Sequence, residues 1–599
     1  MDLMTIADHL TIAHPSTKQH KSFIAWWALV TCLLVVSLAG CGAWGGGTPT
    51  PTADQAAPTS ADSSSVQPGT TAPATAVPPS PGPQTNPVSR DGVVDGGSFS
   101  LGVPAFPSSW NPWSLTPFQL NPVLDAMTPR FFATAADGTL HWDATWLTGQ
   151  PVVVGGSTPG FGPPVPTMTV TYNLNPKAAW NDGTLISVAD FQATWQACVA
   201  EPGPACADRG FDHVTAVDQG NDSHQVVVTY DTQYASWPYT FARGPFRAAM
   251  VSADVRDQPW TSLVGTSPDF SGPYVVSSSK QSTVTLTRNP RWWGATPKLD
   301  TITVSVVADA DIELSYLRQD IDGFWVTDPN LFSQASTLSG IVVRRNLGAD
   351  ARFLVMNCAQ GPLSDPIVRQ AVLSGLDRDE ISQSDLAGLK PNVPALDSVV
   401  WRSAQPQYVD QTLQSKTSFD PATAKALLDQ AGWVVANNGF RSRLGVDLTW
   451  DFLIPQGDSL VENEAFNLRV QLAAIGVRLT LNYVDPSTLA DLESSGQYAM
   501  TVVTQSYTTP AAAGQRYATG NQWGYSNSDV DALAKQALSQ TDSSTQADIL
   551  DQLATAVWQD VPVLPLYEVP ETLMVRDGLA NYGPDDLGSI LWENVGWVS

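Results

Sequence analysis

A serine, a few histidines and a handful of cysteines are the side chains of this sequence that could do covalent or metal chemistry. Ser459 sits in Gly457-Asp458-Ser459-Leu460, a pattern in which one class of esterases carries its nucleophile. Such a serine needs a histidine to take its proton, and those enzymes carry that histidine downstream. The last histidine here, His224, lies far upstream, so the tetrapeptide reads as a loop ahead of a helix over residues 461–472. Beyond residue 20 the histidines are His141, His213 and His224, and no pair of them has metal-ligand spacing. A Gly-rich phosphate loop with its lysine is absent, as is a paired-cysteine metal motif. Asp309 and Asp311 read as solvated loop carboxylates rather than an acid/base pair. No catalyst, metal or cofactor is expected.

The cysteines serve other ends. Cys198 and Cys206 enclose the turn-rich Glu201-Pro202-Gly203-Pro204. In an oxidising compartment they are expected to form a disulfide, worth about 2–3 kcal/mol for so short a loop. Cys358 reads as a small buried apolar residue rather than a nucleophile. Cys32 and Cys41 belong to the N-terminal segment. There Lys18 and Lys21 precede an apolar run from Phe23 to Leu38, followed by Ala39-Gly40-Cys41. A basic flank, an apolar stretch too short to span a bilayer comfortably and a small-residue cleavage site describe an export signal over residues 1–40. Leu38-Ala39-Gly40-Cys41 resembles the lipobox of bacterial lipoproteins, which implies a diacylated Cys41 as the mature N-terminus. Two acyl chains anchor a protein stably. Residues 41–95, rich in Pro, Thr and Ser, read as an extended tether reaching on the order of 100 Å. The expected location is the outer face of the cell membrane.

What remains must position a binding site. The 599-residue chain carries 57 acidic and 30 basic residues, a formal charge of −27, which argues against a nucleic-acid partner. Its 21 Trp and 43 % apolar content demand a packed core. Alternating apolar residues mark strands at Met168, Val170, Tyr172 and Leu174, at Val226, Val228 and Tyr230, at Ile302, Val304 and Val306, and at Val477, Leu479, Leu481 and Tyr483. Helices start at the capping box Ser187-x-x-Asp190, at Asp365-Pro366, at Asp420-Pro421 and at Ser528-x-x-Asp531. Strands and helices interleave, so the class is mixed α/β.

Several segments together resemble the solute-binding protein family 5 of ABC importers, the oligopeptide-, dipeptide- and nickel-binding class. Trp180-Asn181-Asp182-Gly183-Thr184 with Val188-Ala189-Asp190-Phe191 is one. Gly272-Pro273-Tyr274 and Arg288-Asn289-Pro290-Arg291-Trp292-Trp293 follow. Pro362-Leu363-Ser364-Asp365, Ala431-Gly432-Trp433, Asn521-x-x-Gly524-Tyr525 and Val561-Pro562-Val563-Leu564-Pro565-Leu566-Tyr567 complete the series in family order. The resemblance covers residues 96–599. It implies a two-lobed clamshell of the large type II periplasmic-binding-protein kind, with crossings near residues 305–308 and 558–564. Lobe one would be residues 96–307 with 560–599, and lobe two residues 308–559. It also implies a monomer that closes on a peptide or other small solute and presents it to a membrane permease and its ATPase.

Peptide binders of that family hold the free amine with an Asp in an Asp-Tyr-x-Asp-Pro segment. The matching stretch here is Ser506-Tyr507-Thr508-Thr509-Pro510, which places a neutral hydroxyl, Ser506, at the anchoring position. An ammonium buried there lacks the charge that offsets its desolvation, unless another acid substitutes. Thr504, Gln505, Tyr507 and Asn521 are the neighbouring expected contacts. Trp110, Trp113 and Trp325 are expected stacking faces, with Tyr567 near the second crossing. The neutral segment and abundant Trp keep a glycan or glycolipid ligand open, and the scaffold also serves non-transport lipoproteins that regulate the cell envelope.

Overall fold

The computed structural model describes residues 84–599 except 115–120, 156–167, 208, 259, 264–266, 327–328, 387, 390–391, 416 and 507–508. The expected signal, Cys41, the tether up to residue 83 and Tyr507 lie outside the described residues.

The period-two runs become strands. Thr169–Asn173 buries Val170 and Tyr172, and Gln225–Tyr230 buries Val226, Val228 and Tyr230. The two pair antiparallel with Val170 opposite Val228, inside a four-stranded sheet. Caps start the helices where the aspartates sit. Asp365 accepts from the backbone N–H of Ile367, and Asp420 from those of Ala422 and Thr423. Asp458 accepts from Val461 N–H and starts the helix Ser459–Ala474, so the Gly-Asp-Ser-Leu motif is a helix cap. Two local expectations change. Asn527, not Ser528, caps Ser528–Ser539. Asp309 and Asp311, although exposed, lie in the first helical turn of Asp309–Leu317 rather than in a loop, where the helix dipole favours carboxylates. Cys198 and Cys206 are bonded, with Cα atoms 5.6 Å apart. Cys358 is half-buried rather than buried, and burial pushes its thiol up to about 11, which leaves it unreactive.

A ten-stranded mixed sheet organises the chain. Its strands are β1 (Ser98–Val103), β2 (Tyr274–Ser279), β3 (Thr283–Arg288), β4 (Thr301–Val306) and β5 (Gly323–Trp325). They continue as β6 (Ile341–Met356), β7 (Thr449–Pro455), β8 (Arg478–Val484), β9 (Met500–Ser506) and β10 (Val563–Arg576). Across the sheet the order is β8-β7-β9-β6-β10-β5-β1-β4-β3-β2. The long antiparallel pair β6 and β10 therefore sits in the middle. The register breaks between Leu347 and Ala351, where four residues of β6 pass two of β10. Such a bulge bends the strand and raises its twist.

The cores follow this break. One large cluster begins at Leu347 and ends at Tyr567, taking in the helices Pro366–Gly375 and Ser459–Ala474. On the other side Phe99, Leu101, Ile302 and Val304 pack with Leu573 and Val575. Ile312, Tyr316, Leu331 and Leu338 pack with Phe324 and Met574 in a further cluster. The apolar contacts change sides only between Val343 and Leu347 on β6, and between Tyr567 and Leu573 on β10. One β-ladder thus carries the chain from one core into the next without a loop between them.

Candidate functional site

Two cavities flank the C-terminal end of β9. The first, about 340 Å³, is walled by the 122–140 region, Ala207, Arg209, residues 239–243, Trp325, Ala349, Thr509, Glu571 and residues 582–592. Tyr582 and Trp592 in its wall pack with Phe99 and Leu101, Ala349 comes from the β6 bulge, and Thr509 caps the helix Pro510–Gln515, whose Ala513 packs in the large cluster. The second, about 710 Å³, lies between Val503–Ser506 and residues 515–523. Segments packed in the two cores touch beside the first cavity. Ser236 Oγ lies 3.1 Å from Thr509 Oγ1, both buried, and Ala235 N–H donates to Leu538 O at 2.9 Å.

The expected contacts divide among these places. Trp325 is half-buried and lines the first cavity, its ring edge-on to Tyr582 at 6.2 Å. Thr504, Gln505, Ser506 and Asn521 all line the second. Of these, Thr504 Oγ1 accepts from Arg352 Nη1 at 2.6 Å and Gln505 Oε1 from Arg516 Nη1 at 2.5 Å. Asn521 spends its side chain on the turn, donating to Ala518 O and Tyr525 O and accepting from Trp523 and Tyr525 N–H. Ser506 pairs with Asp350 across the sheet. Trp110 and Trp113 are core residues, 4 % and 6 % exposed. Trp110 packs on Phe106, and Trp113 between Phe246 and the Arg256 guanidinium, so neither presents an open face. Tyr567 is fully buried, its hydroxyl donating to Glu464 Oε1 at 2.8 Å and lying 3.3 Å from Asp385 Oδ2. Burial, then the Glu464 charge, pushes Asp385 up to about 8.

The charged lining of the first cavity escapes sequence reading. Asp125 accepts from Arg130 Nη2 at 2.6 Å, Arg243 Nη1 at 2.5 Å and Trp592 Nε1 at 2.9 Å. Burial alone would raise the Asp125 carboxyl, but the Arg130 and Arg243 guanidinia more than offset that and hold it well below the usual range. Arg209 is buried in the same wall, and burial followed by the nearby Arg243 charge lowers it to about 10. Glu571 faces into the cavity from β10. Although Glu571 is exposed, the protein crowded around its carboxyl, then Asp350 and Asp586, pushes it up to about 7, and burial, then Asp586, pushes Asp585 up to about 6. A carboxylate inside an apolar strand is the only sequence signal for Glu571. Arg209 and Asp585 lie in loops that offer none.

These raised carboxyls fix a pH dependence. Folded Asp385, Glu571 and Asp585 keep protons that the unfolded chain releases near pH 4. Their stabilising contribution is therefore full below about pH 4 and lost as pH rises through about 6, 7 and 8. The unliganded protein is expected to melt at a lower temperature at pH 8 than at pH 5. A Glu571→Gln variant should show a shallower decline in the same scans.

The model for bacterial extracellular solute-binding proteins, family 5 (middle), matches residues 166–539. The chain is 28 % identical over 528 residues to the oligopeptide-binding protein OppA of Mycobacterium tuberculosis, covering 84 % of this chain and 85 % of that protein. The fold superposes on a periplasmic EDTA-binding protein, EppA, with a TM-score of 0.72 at 22 % identity, covering 86 % and 98 % of the two chains. It also superposes on the oligopeptide-binding protein AppA of Bacillus subtilis in complex with a nonapeptide. There the TM-score is 0.63 at 16 % identity, covering 85 % and 100 %. The α/β clamshell with two lobes is thus the fold of this chain. Among the described residues no cluster of potential metal ligands occurs, and no helix is long and apolar enough to cross a membrane.

Proposed function

This chain belongs to the bacterial extracellular solute-binding proteins of family 5, and on that premise we propose that it captures peptides or peptide-like solutes between its lobes for an ABC importer. Proteins of this family bind and are not enzymes, in keeping with a Gly-Asp-Ser-Leu motif used as a helix cap. The observation that carries the reading is the 340 Å³ cavity, whose lining is charged and which the helix cap Thr509 reaches from the large cluster's side. Ligand pockets run from roughly 300 to 1,000 Å³, so the guest is small.

Closure would work through the long β6–β10 ladder. The hinge is proposed at residues 347–351 and 567–570, where the register breaks and the strands leave one core for the other. A solute that touches both lobes binds only the closed arrangement and so shifts the population toward it. The contacts Ser236–Thr509 and Ala235–Leu538 would form part of the closed seam. Cys41 would carry the acyl anchor, and a permease with its ATPase would take the closed, monomeric receptor as partner.

The test is direct. Native mass spectrometry of the purified protein should show co-purified small solutes, and thermal scans with peptide panels should raise the melting temperature. A ligand at 100 times its Kd adds about 2.7 kcal/mol. Shifts from oligosaccharides alone, with none from any peptide, would move the ligand class to glycans.

A further inference from the structure

A small three-stranded sheet beside Trp433 and Leu448 of the large core turns apolar side chains to solvent. Val434–Val435, Arg441–Arg443 and Val446–Asp447 pair antiparallel, apart from the ten-stranded sheet. Its base is firmly held. Arg441 is buried and donates to Ile475 O at 2.9 Å, Trp433 O at 2.6 Å and Asp429 Oδ1 at 2.5 Å. Above that base Val434, Val435 and Val446 are each more than half exposed, and Leu444 is 97 % exposed. Leu444 and Gly445 form the two-residue turn between Arg443 and Val446, which face each other across the ladder. Both turn residues have positive φ, +54° and +80°. Such a turn ordinarily takes Asn-Gly. A leucine there is strained and gains no packing in return. A bulky apolar side chain held out at a cost in both backbone strain and wetted surface marks a contact with something else.

The charge around the turn selects the partner. The whole chain carries −27, yet residues 433–446 hold two arginines and no acid. The acids at the base are engaged, Asp429 with Arg441 and Asp447 with Arg478. Arg443, its guanidinium 5.2 Å over the Trp433 ring, and Lys425 on the helix Pro421–Gln430 are exposed and enter no ion pair among the described residues. A second copy set against this face about a two-fold axis would bring arginine against arginine. An anionic lipid surface suits both features, because apolar side chains enter the boundary between headgroups and acyl chains while cations meet the phosphates. We infer that this hairpin docks on an anionic lipid surface, with Leu444, Val434, Val435 and Val446 in that boundary and Arg443 and Lys425 at the phosphates. The contact is independent of the solute that the protein captures.

Hydrogen–deuterium exchange of the full-length protein on vesicles reads the contact directly. On equimolar phosphatidylglycerol and phosphatidylcholine, the amides of residues 434–447 should exchange at least about ten-fold more slowly than on phosphatidylcholine alone. The helix Asp309–Leu317, whose Leu314 and Leu317 are also exposed, is the control and should not change. Leu444→Asn suits the turn better than the parent residue, so it should melt no lower than the parent while losing most of the protection. Arg443→Gln should lose the preference for phosphatidylglycerol. Equal exchange on the two kinds of vesicle, or protection kept in full by Leu444→Asn, overturns the inference. Protection that appears without lipid and grows with protein concentration also overturns it, in favour of a second copy.

Discussion

Glu464→Ala is expected to lower the unfolding free energy by about 3–5 kcal/mol, among the largest effects of any single change in this protein. Glu464 is fully buried on the helix Ser459–Ala474, and Arg352, on β6, is 4 % exposed. Arg352 Nε donates to Glu464 Oε1 at 2.8 Å, Nη2 to Oε2, and Nη1 to Thr504 Oγ1. Burial works against the Arg352 charge, but the hydrogen bonds and charge of Glu464 more than offset it and hold its pKa above the ordinary value. Removing the carboxylate strands a guanidinium in the core and takes an acceptor from Tyr567. Removing both charges together is a different experiment. An Arg352→Met, Glu464→Leu double variant sheds both desolvation penalties, so it should fall well short of the single-variant loss. Urea unfolding of the parent, Arg352→Met, Glu464→Leu and the double variant reads the coupling. A double variant as damaged as Glu464→Ala would mean that packing, not charge, holds this junction.

Asp125→Ala is the second large effect, also expected at about 3–5 kcal/mol. Its carboxylate gathers Arg130, Arg243 and Trp592 at one edge of the first cavity. Without it two guanidinia face each other and an indole N–H loses its acceptor. The same residue sets an acid limit. Its folded pKa lies below the unfolded value, so its contribution is present above about pH 4 and is lost as pH falls through the folded value. The parent should therefore lose stability steeply in strong acid, and Asp125→Asn should lose less over the same range. Solute binding should suffer with stability, because Arg243 and Trp592 also wall the cavity.

Much of the architecture is local, and so could be read in one dimension. The caps at Asp365, Asp420 and Asp458 act on N–H groups two or three residues away. The alternation at Val226, Val228 and Tyr230 is a property of the strand itself. Ser506 is different. Its neutral character can be read directly, but its cross-strand partner Asp350 is set only by the pairing of β9 with β6. An indole suits a core and a sugar face equally, and the packing around Trp110 and Trp113 is what places these two among buried residues.

The sequence by itself determined the class, the family and the absence of a catalytic serine–histidine pair, because each rests on residue type and short-range order. Only the tertiary structure decided where the chain passes between cores, which indoles are buried, and which charges go unpaired. Those are matters of distance between segments hundreds of residues apart, and no local pattern of the chain encodes them.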